Sequence, residues 1–133
     1  MRVGDTFRRA VSSPGFDKNR HLWIVLSDPT AYPDELITVF FTTLQPRRDQ
    51  TCVVESGEHP FIVHKSIIAY DLAEIRKRSD LLSLVSRGEF ILSDGADIRL
   101  VERIRLLLDY SPMSPYRIKD IAKKQGFGLP FRP

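Results

Sequence analysis

Three histidines, His21, His59 and His64, are the side chains best suited to proton transfer in this 133-residue sequence. Imidazole changes charge near neutral pH, which makes it the usual general acid or base. All three fall in the first seventy residues. Their spacing marks no metal site, which takes at least three convergent ligands. His59 and His64 are five positions apart. On one continuous strand an odd separation sets two side chains on opposite faces. Cys52 is the single cysteine. It lies in a short apolar run with Val53 and Val54, where a small buried hydrophobe is its ordinary role. None of the seven glycines falls in a P-loop or G-x-G-x-x-G pattern, and no serine lies in a G-x-S-x-G elbow.

The remaining polar groups of interest stand at strand ends. Arg20 and His21 precede the apolar run Leu22–Leu26, and Thr42 and Thr43 close the run that begins at Leu36. Loops and strand ends at the mouth of a small sheet gather side chains into sites. Arginine stabilises an anionic transition state, and a threonine hydroxyl can hydrogen-bond a phosphate oxygen. The alternative is that the threonines are ordinary strand formers and Arg20 a solvated loop residue. Arg47 and Arg48, in the polar loop Gln45-Pro46-Arg47-Arg48-Asp49-Gln50, offer phosphate contacts or a solvated turn.

The elements that must position these groups are strands first and helices after. Val3–Arg9 reads as a short strand, followed by the turn-rich Ser12-Ser13-Pro14-Gly15. His21–Ser27 reads as a strand buried on both faces, and Leu36–Thr43 is the clearest strand, almost wholly β-branched or aromatic. Thr51–Val54, Phe61–His64 after the Gly57-Glu58-His59-Pro60 turn, and Ser66–Tyr70 complete the set. Five or six short strands in about seventy residues predict a small barrel or strongly bent sheet. Leu81–Val85 and Glu89–Leu92 fit either helix or strand.

Helical periodicity then takes over. Asp94 reads as the cap of a helix on which Ile98, Val101, Ile104 and Leu108 form one apolar stripe. Arg105 falls away from the centre of that stripe, spaced for surface pairs with Glu102 and Asp109. Ser114 reads as cap and Pro115 as first residue of a second helix with Ile118, Ile121, Ala122 and Gln125 on one face, stopped by Gly126.

Composition sets the outer bounds. The length suits one domain. Lone Cys52 excludes an internal disulfide framework and fits a reducing compartment. No apolar run approaches the length of a membrane span, and the first residues lack an apolar signal core. A cytoplasmic protein without a membrane partner is the expectation. The net charge is +3. Residues 1–70 balance at 8 basic and 8 acidic, whereas residues 71–133 carry 12 and 9. The excess therefore lies away from the histidines, and it permits a polyanion partner without requiring one.

Taken in order, the strands resemble the PemK/MazF family of toxin–antitoxin ribonucleases. Val3-Gly4-Asp5-Thr6-Phe7 is similar to the family's opening strand. Leu22-Trp23-Ile24-Val25-Leu26-Ser27 is similar to its second, and Val39-Phe40-Phe41-Thr42-Thr43 to its third. Ser66–Ile75 and Gly88-Glu89-Phe90-Ile91-Leu92-Ser93, followed by the Ile98–Leu108 helix, resemble its later segments. The resemblance covers roughly residues 3–110. It implies a mainly β fold with C-terminal helices: a small SH3-like barrel of five to seven short strands over residues 1–110, closed by a helix. Residues 111–133 then form a C-terminal helical extension that has no counterpart in the resemblance.

The resemblance further implies a homodimer that cleaves single-stranded RNA without metal or other cofactor, by attack of the 2′-hydroxyl on the neighbouring phosphate, and that is held by an antitoxin protein. His21 falls where the family usually carries an arginine, with Arg20 one position early, while Thr42 matches. The expected catalytic set is therefore His21, Arg20, Thr42 and His59, with Arg47, Arg48, Thr43 and His64 binding RNA. The competing expectation is a non-catalytic SH3-like module that binds a protein or nucleic acid.

Overall fold

A computed structural model describes residues 1–10 and 21–129. The turn-rich stretch at 12–15 and Arg20 lie outside the described residues. Seven strands appear among those described: β1 (Thr6–Arg9), β2 (Leu22–Val25), β3 (Leu36–Thr43), β4 (Val53–Val54), β5 (Ser66–Ile68), β6 (Glu74–Arg76) and β7 (Phe90–Ser93). Three helices accompany them: α1 (Arg78–Ser86), α2 (Ile98–Tyr110) and α3 (Tyr116–Lys124). The protein is thus mainly β with helices.

All pairings are antiparallel, in the order β4-β5-β3-β2-β1-β7, and the sheet is not closed. The eight-residue β3 is its spine. One edge pairs with β2, Leu22 facing Phe41 and Val25 facing Thr38. The other edge pairs with β5 near the Thr43 end and with β6 near the Leu36 end. Between these two partners the chain turns through a 3-10 turn at Tyr70–Leu72. The stretch read as one strand to Tyr70 therefore ends at Ile68 and corners. The ambiguous 81–85 segment lies in α1, and 90–92 lies in β7. Residues 61–64 form no strand. They follow a turn in which Ile62 N–H donates to the His59 carbonyl at 2.9 Å. Strand parity consequently does not relate His59 to His64.

Alternate residues of each strand face two sides of the sheet. Leu22, Ile24, Ile37, Val39 and Phe41 enter the main core with Val101, Ile104 and Leu108 of α2 and Ile118, Ile121 and Ala122 of α3. The segment read as an extension thus adds side chains to the same core as the sheet. Phe7, Val25 and Leu36 form a smaller core on the other side with Leu81 of α1. There the Arg76 guanidinium lies 4.8 Å from the Trp23 ring centroid and pairs with Glu74 at 2.7 Å. Cation–π contact of this kind lets a charged head group cover aromatic surface.

Two helix starts differ from the sequence reading. Asp97, not Asp94, caps α2, its carboxylate accepting the Arg99 N–H at 2.8 Å. The Asp94 carbonyl is occupied by the Thr6 hydroxyl at 2.5 Å, which holds that residue against β1. Pro115, not Ser114, stands at the cap of α3, because the Ser114 hydroxyl donates back to the Leu108 carbonyl at 2.7 Å. Gly126 does follow the end of α3, with the positive φ of 78° that a helix stop favours. No helix among the described residues is long and apolar enough to cross a membrane.

Candidate functional site

The ends of β2 and β3 and the segment leading into β5 enclose an open cavity of about 370 Å³. Its lining includes His21, Thr42, Thr43 and His64, together with Gln45, Phe61 and Ser66. The register explains the grouping. Leu22 faces Phe41, so His21 arrives beside Thr42 as the β2–β3 ladder runs out. On the other edge of β3, Thr43 faces Ser66 of β5. His64 lies just before that pair, its carbonyl accepting from the Ser66 hydroxyl at 2.8 Å.

His21 is half-buried, and its ring stacks on Phe40 with centroids 4.2 Å apart and planes 28° from parallel. Burial lowers its pKa from the usual 6.5; a hydrogen bond with the Phe41 backbone opposes this, and the nearby Arg48 charge adds to it. The side chain is thus biased toward the neutral form, the state that accepts a proton. Arg48 stands within electrostatic reach of His21 and meets Asp71 at 3.5 Å. Its half-exposed guanidinium does not itself line the cavity. Arg47 is exposed in the same turn and does not line the cavity.

His59 stands elsewhere. It is only 2% exposed. Its Nδ1 accepts the Phe61 N–H at 3.0 Å, and its Nε2 faces the Asp94 carbonyl at 2.6 Å. Since the carbonyl only accepts, Nε2 donates, and both ring nitrogens are committed to backbone. His59 does not line the cavity. It instead fastens the turn that carries Phe61, Ile62 and His64 to the sheet.

The sequence reading does not include Gln45, Phe61 or Ser66 among the site residues. Ser66 was legible in principle, because pairing the Thr43 end of β3 with the next strand brings it opposite. Phe61 is 42% exposed, an apolar ring at the cavity wall with the Arg8 guanidinium 5.0 Å from its centroid. Cys52 is buried and its thiol pKa is pushed up by burial, so it is poorly disposed to act as a thiolate. No group of three or more His, Cys, Asp or Glu side chains able to hold a metal ion occurs among the described residues.

The arrangement brings a neutral-biased imidazole, a second histidine and the Thr42–Thr43 end of β3 around one open space, with a guanidinium within electrostatic reach of His21. Those groups can accept a proton, donate one, and hydrogen-bond an anionic group between them. Neither protein-family models nor curated proteins give a match to this chain.

Proposed function

We propose that the protein is an endoribonuclease that cleaves single-stranded RNA by 2′-hydroxyl attack, without a metal ion. The observation that carries this reading is the placement of His21 beside Thr42 in one cavity, with burial favouring its neutral imidazole. In this mechanism His21 removes the proton from the 2′-hydroxyl. Thr42, beside His21, hydrogen-bonds a non-bridging phosphate oxygen, and Arg48, within electrostatic reach of His21, offsets the charge that builds there. The PemK/MazF resemblance supplies the substrate class, and with it an SH3-like arrangement of the strands, a homodimer and an antitoxin partner as parts of the same proposal.

Incubation of purified protein with mixed-sequence single-stranded RNA, with and without EDTA, tests this. Cleavage should survive the chelator. His21→Ala and Thr42→Ala should each lower the rate, by about 10²–10⁴-fold for the loss of a general base. Because the His21 pKa is lowered, the base stays active below pH 6.5 and the acid limb of the rate profile lies under that value. Full activity in both variants would remove the assignment. Binding without cleavage would favour a non-catalytic module instead.

A further inference from the structure

Transesterification needs a second proton transfer, to the oxygen that leaves, and the cavity holds a second imidazole. His21 comes from the β2 side of β3 and His64 from the β5 side. The Leu44 N–H donates to the Lys65 carbonyl at 3.1 Å, which continues the β3–β5 ladder past Thr43 and sets His64 near the level of Gln45. Both residues line the same cavity. The cavity is thus bordered by one histidine on each edge of β3, and an in-line displacement at phosphorus takes its base and its acid from opposite sides.

We propose that His64 is the general acid of the reaction, protonating the departing 5′-oxygen while His21 accepts the proton of the 2′-hydroxyl. The inference rests on the RNA-cleavage reading. The 2′-oxygen forms a bond to phosphorus as its proton passes to His21. The bond from phosphorus to the 5′-oxygen breaks, and that oxygen takes a proton from the His64 imidazolium. The products are a 2′,3′-cyclic phosphate and a 5′-hydroxyl, with no other reactant consumed. The division of labour follows the surroundings. His21 is half-buried against Phe40, whereas His64 is exposed to solvent. His59, committed to the backbone at both ring nitrogens, is unable to serve.

The leaving group provides the test. A random-sequence RNA oligonucleotide carrying one 5′-bridging sulfur at the scissile position expels a thiolate, which needs no acid. His64→Ala, at an exposed position that leaves the fold intact, should cleave ordinary RNA about 10²–10⁴-fold more slowly. It should cleave the sulfur-bridged substrate at the wild-type rate. His21→Ala should slow both substrates. An equal loss on both substrates in His64→Ala, or no loss on ordinary RNA, overturns the role of His64. Failure of the wild-type protein to cleave either substrate would instead remove the RNA-cleavage reading beneath it.

Discussion

His59 and His21 show how one residue type takes opposite roles according to the groups around it. His21 has an apolar ring beneath it and an open cavity beside it. His59 is enclosed, with a backbone N–H on one nitrogen and a carbonyl on the other. A buried polar group that loses its partner costs about 1–3 kcal/mol. His59→Ala strips partners from the Phe61 N–H and the Asp94 carbonyl, although Thr6 still donates to the latter. We expect a stability loss of about 1–3 kcal/mol, read from the urea midpoint at unchanged slope. A variant with the wild-type midpoint would show that the His59 bonds carry no net weight. The sequence made His59 visible as a histidine in a turn. It did not reveal the burial, because Asp94 and Thr6 reach it only once β7 has paired with β1.

Elements whose identity comes from local pattern were legible; those defined by a distant partner were not. The β-branched run of β3 and Val101, Ile104 and Leu108 of the α2 stripe are read directly and are buried as expected, whereas Ile98 of that stripe is exposed. β6 has no strong pattern of its own and exists because the corner at Tyr70–Leu72 returns the chain to β3. Arg105, expected at the surface of α2, is buried instead. It donates to the Leu26 carbonyl and lies 4.0 Å from the Phe127 ring centroid, groups that belong to the β2 end and to the chain after α3. The approach of α2 to the sheet also fixes Gly4. Its φ is 88°, and a β-carbon there would lie 2.9 Å from Val101 Cγ2. Both the backbone conformation and the contact oppose any side chain. Gly4→Ala should therefore destabilise by more than the roughly 1 kcal/mol of an ordinary glycine exchange, because α2 must shift. Thermal unfolding measures this, and an unchanged melting temperature would contradict the close approach.

The molecule as a whole depends on its last described helix. Reading residues 111–133 as an extension predicts that the chain keeps its fold without them. The packing predicts otherwise. Ile118, Ile121, Ala122 and Phe127 belong to the main core with the strands. Gln125 accepts from the Ser27 hydroxyl at 2.6 Å and donates to the Glu35 carbonyl at 2.7 Å, fixing α3 to the segment between β2 and β3. Ser27 in turn accepts the Ile37 N–H at 2.8 Å, so the chain of bonds ends in the spine strand itself. Burying a large apolar side chain stabilises by about 1.5–3 kcal/mol. Three such side chains, with the polar links, approach the roughly 5–15 kcal/mol that a domain has in total. A chain ending at Ser111 should thus lose its cooperative urea transition or shift it to far lower denaturant. Gln125→Ala, which keeps the apolar contacts, should retain the transition with a smaller loss. The cavity lies at the Thr43 end of β3 and α3 attaches near its Leu36 end. Gln125→Ala should consequently leave the RNA cleavage rate per folded molecule unchanged while lowering the midpoint. A truncated chain that unfolds at the wild-type midpoint would establish residues 1–111 as an independent unit after all.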